Sequence, residues 1–409
     1  MTIERQWIEI MKNEVPEAFA DEIQFEPTSG FINAQIKLMG LSEGMTWDQF
    51  LFRQFVLPVD AIVTRGATTV VLAFDDYALV PRAKAITQAK RRLACGEPLA
   101  YEEGDPFPDT PPSPWASAMA NRTFKSAVVQ WIVQHLPAKL GLVEREFTLL
   151  VDWKGDALTR MTVAGRQVAV SCEPRKEPEG EADIKFARWS RRLPEGLAVD
   201  AIDGDFVPIA LATHAPRVSI LRYKVLGDKG RDYEWVDIDK LQAGMCCCLM
   251  SIAKLRGVTS HVWENWHVDC LIALIALSGT DYSRGTPQVG ARKVWAMANR
   301  LVPILVEECF VNRRLVPEVA AERLFAEIYA GAFSKHCAST SCFDSVMSSI
   351  QASKLSDRTK ASLPSFGRAV CTIKNANFIL EYWNGHRPDS MKPQYGFRDV
   401  DGRVVWDDE

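Results

Sequence analysis

Gly66-Ala67-Thr68-Thr69-Val70-Val71-Leu72-Ala73-Phe74 is an apolar, β-branched run that stops at two acids, Asp75 and Asp76. Continuous apolarity without alternation marks a strand buried on both faces, the habit of a parallel sheet covered by helices. The strand Leu197 to Ile202 likewise ends in acids, Asp203-Gly204-Asp205. Open α/β sheets gather their ligands at the carboxyl ends of parallel strands, so both runs deliver carboxylates to that edge.

The rest of the chain agrees with this architecture. Helical spacing over residues 3 to 22 precedes a strand-like stretch from Gly30 to Met39, and Trp47 to Val63 is again helical. A basic helix, Arg82 to Arg92, leads into a segment dense in proline and acids, 97–114, which reads as a mobile loop or lid. Trp115 to Leu136 is helical, Glu146 to Trp153 and Gln167 to Cys172 are strands, and Glu181 to Arg192 is a helix. Strands Ser219 to Val225 and Tyr233 to Ile238 follow, helices dominate from Leu241 to about Trp383, and Tyr395 to Trp406 reads as a hairpin turning at Asp401-Gly402. The expected fold class is α/β, with a mostly parallel central sheet flanked by helices. The expected organisation is an α/β domain over 1–300 and a helical extension over 301–409 packed on it.

Four acidic clusters stand where strands end or helices begin: Asp75, the pair Glu179 and Glu181, the pair Asp203 and Asp205, and Asp281. Acids two apart point the same way from extended backbone, so each pair presents both carboxylates to one cavity. Like charges gathered in this way repel unless cations neutralise them. Mg²⁺ or Mn²⁺, one ion or two, is the natural partner for such oxygens. The competing reading of any single acid is a surface residue capping a helix.

The 48 basic and 52 acidic residues leave a net charge of −4, which excludes a non-specific polyanion binder and confines nucleic-acid contact to local patches. Ten cysteines without zinc-finger spacing, behind an N-terminus without an apolar signal core, imply reduced thiols in the cytoplasm or nucleus. The longest apolar run, Cys270 to Leu277, is too short to span a bilayer. No histidine lies in a general-base constellation.

Taken in order, these motifs resemble the flap endonuclease/XPG and XRN-type 5′-nuclease superfamily. Val71-Leu72-Ala73-Phe74-Asp75 is similar to its second acid motif, Glu179-Gly180-Glu181 to its GEGE/EAEA motif, Asp203-Gly204-Asp205 to its DxD, and Leu277-Ser278-Gly279-Thr280-Asp281-Tyr282 to its LLGxDY. The resemblance covers about residues 3 to 300. It implies a PIN-like fold and a divalent metal held by Asp75, Glu179, Glu181, Asp203, Asp205 and Asp281. It also implies hydrolysis near a 5′ end of RNA or DNA, as a 5′-to-3′ exonuclease or a flap endonuclease.

Two features divide the branches. Val80-Pro81-Arg82-Ala83-Lys84, with Gln88, Arg91 and Arg92, is similar to the segment with which XRN exoribonucleases hold a 5′-phosphate, and Thr110 to Met119 resembles another of their segments. Gly285 to Lys293, a Gly-bounded turn opening a basic helix, is similar instead to the helix-two-turn-helix with which flap endonucleases grip duplex DNA, placed here over 283–300. It offers Gly290, Arg292 and Lys293 to a phosphate backbone. Lys185, Arg188, Arg191 and Arg192 form a third basic group, read as a solvated face.

One departure stands out. The family's first strand carries an aspartate that ligates a metal, and here Phe31 to Gly40 contains none: Asn33 or Lys37 takes its place, depending on the alignment. An asparagine permits weak coordination, whereas a lysine puts a cation where the ion belongs. The alternatives are therefore a metal-dependent nuclease and a catalytically impaired relative that binds nucleic acid or serves a structural role. A small-molecule phosphatase using the same carboxylates is a third.

Overall fold

The structure, a computed structural model, describes residues 3–76, 84, 98–153, 157–174, 180–201, 204–214, 217–223, 233–258, 265–335, 342–386, 388–401 and 403–407 of the 409-residue chain. The chain divides into two compact units. One comprises Phe19–Val80 and Gln88–Asp239, and the other Met1–Ala18, Pro81–Thr87 and Lys240–Glu409. The sequence expectation placed its division near 300, but residues 240–300 belong with the C-terminal helices.

The first unit is built on a nine-stranded sheet: β1 (Phe19–Ala20), β2 (Ser29–Asn33), β3 (Thr69–Ala73), β4 (Phe147–Asp152), β5 (Ala157–Ala164), β6 (Gln167–Pro174), β7 (Leu197–Asp200), β8 (Val218–Tyr223) and β9 (Tyr233–Asp237). Their order is β1-β9-β8-β7-β2-β3-β4-β5-β6. The five central strands, β8-β7-β2-β3-β4, run parallel, while the β5–β6 hairpin and β9 with β1 add antiparallel flanks. In β3 every residue after Thr69 is buried, the two-sided burial that its apolar run predicts, and every residue of β2 and β7 is buried as well. Chain order runs outward from β2 to β3 and β4, then resumes on the other side with β7 and β8. The direction of winding therefore reverses between β2 and β7, and a crevice at their carboxyl ends is the usual ligand position in such sheets.

Local chemistry corrects several sequence-level boundaries. The first strand stops at Asn33 rather than at Met39, because the Asn33 side chain accepts a hydrogen bond from the Gln35 amide (3.1 Å) and starts a one-turn helix, Ala34–Lys37. Trp47 to Thr64 is helical but interrupted. A π-turn at Phe52–Val56 precedes Leu57–Thr64, whose Pro58 lacks an amide hydrogen for a regular ladder.

The described part of the 97–114 segment, 98–114, lacks helix and strand as expected, but it is anchored rather than loose. Phe107 stacks on Phe124 (6.2 Å between centroids, 10°) and on Trp131 (5.8 Å, 7°). Trp47 donates to the Pro108 carbonyl (2.8 Å), and Asn121 donates to those of Leu99 (2.8 Å) and Tyr101 (2.9 Å). Aromatic burial and satisfied carbonyls supply what secondary structure does not.

The second unit is helical. Trp266–Ser278 is buried on nearly every side and packs against Phe366–Trp383, which also packs against Pro317–Ala332. The run Cys270 to Leu277 is thus a core helix. The tail forms the hairpin β10 (Phe397–Val400) and β11 (Arg403–Trp406), turning at Asp401 with φ 52°; Gly402 lies outside the described residues. Among the described residues no helix is long and apolar enough to cross a membrane.

Anchoring of the 98–114 segment has a direct test. Phe107→Ala is expected to speed cleavage within 98–114 by a nonspecific protease about 10-fold, the equivalent of about 1.4 kcal/mol of lost opening free energy. Mapping of the fragments by mass spectrometry checks it.

Candidate functional site

In the sheet unit the chemistry gathers at the carboxyl ends of β2, β3, β4 and β7. Asp75 and Asp76 follow β3 directly, Asp152 ends β4, and Asp200 ends β7. The Asp75 carboxylate accepts from the Ala182 amide (2.9 Å), at the start of the helix Ala182–Trp189 whose N-cap is Glu181. The second and third expected acid motifs therefore meet at one helix terminus, where the positive end of the helix dipole favours negative charge. Glu181 is fully buried. Asp205 is the N-cap of Phe206–Thr213, the helix that follows β7. Glu179 and Asp203 lie outside the described residues, as do Arg82, Gln88, Arg91 and Arg92.

Two lysines enter this edge. Lys185, expected on a solvated face, is fully buried. Its ammonium donates to the carbonyls of Phe74 (2.6 Å), Trp153 (2.7 Å) and Asp152 (3.2 Å) and lies 2.9 Å from the Asp152 carboxylate, which also accepts from the Trp189 indole (2.8 Å). The correction has a simple cause. The Phe74 and Trp153 carbonyls lie just past the ends of β3 and β4, beyond the ladder, and a lysine one turn into the helix reaches them. Of the same basic group, Arg191 and Arg192 are exposed, as expected. Partial loss of solvation and then the like charge of Arg188 push the Arg191 pKa below its ordinary value.

The second lysine is Lys37, on the one-turn helix after β2. It donates to both Asp200 oxygens, at 2.7 and 2.9 Å. Asn33, the other candidate for the missing acid, uses its side-chain oxygen to cap that helix. Gln35 of the same helix accepts from the Asp75 amide (3.3 Å), so this turn touches both neighbouring strands, β3 and β7. Sequence reading missed Asp152 and Asp200 as site residues, although each closes an apolar strand as Asp75 does.

Asp281, Lys84, Gly290, Arg292 and Lys293 belong to the helical unit. There the central helix ends at Ser278, and Gly279 (φ 110°) and Gly285 (φ 66°) bracket a turn pinned by Thr280–Ser283 backbone bonds and by Thr286 donating to Leu277. Asp281 is half-buried at its tip. The Lys84 ammonium lies over the Tyr282 ring at 5.9 Å, joining one residue of the expected phosphate-binding segment to the Asp281 turn. Gly290 is the N-cap of Ala291–Ala296. Arg292, expected on a phosphate backbone, pairs with Glu9 at 2.7 Å, while Lys293 is exposed.

Among the described residues no three His, Cys, Asp or Glu side chains gather closely enough to hold a metal ion. At the helix terminus Asp75 accepts the Ala182 amide, and the adjacent Glu181 is the buried N-cap; carboxylates are the oxygen donors that a hard divalent ion takes. No protein-family model matches the chain, and no curated protein matches it.

Lys185→Met is expected to cost about 3–5 kcal/mol, because it leaves Asp152 buried without its counter-charge. Lys185→Met/Asp152→Asn is expected to recover much of that loss, and urea unfolding followed by circular dichroism measures both. In the other unit, a Cβ at Gly285 would lie 2.5 Å from the backbone of Ser278 and Gly279. Gly285→Ala is therefore expected to lose more than about 2 kcal/mol. Gly290→Ala, which meets only the Gln6 side-chain oxygen at 3.3 Å, should stay near the wild type in the same assay.

Proposed function

We propose that the protein is a divalent-metal-dependent 5′-nuclease-like protein with a PIN-like sheet domain, acting on phosphodiesters near a 5′ end of RNA or DNA. The observation that carries this reading is the bond from the Ala182 amide to Asp75, which brings the Asp75 and Glu181 motifs together at the carboxyl edge of a parallel sheet. The strand order, with its reversal between β2 and β7, supports it by making that edge the place where a ligand binds.

In this reading Asp75, Glu179, Glu181, Asp203, Asp205 and Asp281 are the residues that would hold Mg²⁺ or Mn²⁺. A bound ion would supply positive charge to the phosphate under attack. Lys84, with Arg82, Gln88, Arg91 and Arg92, would hold the terminal phosphate, and Lys293 with Gly290 would hold the backbone further along. Arg292 joins them only if a phosphate displaces Glu9, whose carboxylate it now contacts.

A second reading is favoured by the Lys37–Asp200 pair: a relative that has kept the grip and lost the reaction. Incubating 5′-phosphorylated, 3′-labelled RNA, single-stranded DNA and a 5′-flap duplex in Mg²⁺ and in Mn²⁺ separates the two. Cleavage that falls at least ~100-fold in Asp203→Ala/Asp205→Ala is the expected result, on the scale of losing groups that stabilise transition-state charge. Binding without cleavage would sink the catalytic reading and leave the second.

A further inference from the structure

We infer that the Lys37 ammonium is a built-in cation that takes the place of one divalent ion, so that the sheet's carboxyl edge admits at most a single metal ion. This inference rests on the 5′-nuclease-like reading and specifies its ion requirement.

Three observations carry it. Lys37 and Asp200 are largely withdrawn from water, with side chains 11% and 8% exposed, unlike the solvated pairs that contribute little and rearrange freely. The pair sits at the carboxyl ends of β2 and β7, where the sheet reverses its winding, and Asp200 lies between Ile32 and Leu221 in the ladder. Both Asp200 oxygens accept from one ammonium, at 2.7 and 2.9 Å. Each Asp200 oxygen gives one lone pair to the ammonium, so a divalent ion drawn to the remaining lone pairs would lie beside a fixed, largely desolvated positive charge and be repelled by it. Asn33 does not compensate, since its oxygen caps the turn that carries Lys37.

Removing the ammonium alone should unmask Asp200. Equilibrium dialysis of the full chain against Mn²⁺, with free ion read by electron paramagnetic resonance, tests this directly. The wild type and Lys37→Arg are expected to take up at most one ion. Lys37→Met is expected to gain one, or to bind at least about 10-fold more tightly, and Lys37→Met/Asp200→Asn is expected to return to the wild-type level. If Lys37→Met folds poorly, the same idea predicts that Mn²⁺ raises its melting temperature by about 5 °C more than that of the wild type, since the ion then fills the ammonium's place.

Two ions on the wild type, or unchanged uptake and unchanged Mn²⁺ stabilisation in Lys37→Met, would overturn the inference while leaving a metal-dependent nuclease standing. An ion on Lys37→Met but none on the wild type would support the inference and refute metal dependence of the natural protein. No uptake by any variant, with no Mn²⁺ stabilisation, would overturn both.

Discussion

A single buried ammonium holds the candidate centre of the sheet unit together. Lys185 gathers the carbonyls of Phe74, Asp152 and Trp153 and the Asp152 carboxylate, so one side chain ties the helix Ala182–Trp189 to the ends of β3 and β4. That attachment sets the height of the helix terminus, and with it the approach of Glu181 and the Ala182 amide to Asp75. Burying a charge is costly unless every proton finds an oxygen, and here the unladdered strand ends supply them.

Charge balance explains the rest of that edge. Carboxylates crowded at strand ends need cations, and a metal is one way to provide them. This chain provides part of the compensation covalently, with Lys185 at Asp152 and Lys37 at Asp200. The consequence is an edge whose charge is partly neutralised before any ion or phosphate arrives, with Asp75 and Glu181 set apart at the helix terminus.

The helical unit solves a different problem, the support of a tight, largely buried turn. Tyr282 packs on Phe378 and Tyr382, Phe378 on Phe397, and Phe397 on Trp406, whose ring lies 5.3 Å from the Arg284 guanidinium. The tail, to which sequence alone assigned no role, is thereby a buttress for the turn that carries Asp281. Aromatic pairs suit this purpose because they bury large area with few rotatable bonds.

The sequence by itself determined the α/β class, the mostly parallel sheet and the acid that follows β3, because two-sided burial writes itself as an apolar run and its end as Asp75. It also determined the terminal hairpin at Asp401. Only the tertiary structure decided that Lys185 is interior, that the 98–114 segment is fastened by Phe107 and Trp47, and that Lys37 faces Asp200. Each of these depends on a partner distant in the chain: 163 residues separate Lys37 from Asp200, and 33 separate Lys185 from Asp152. Local patterns record which face of a strand or helix is buried, but the charge or ring that will meet it is fixed by how the sheet winds.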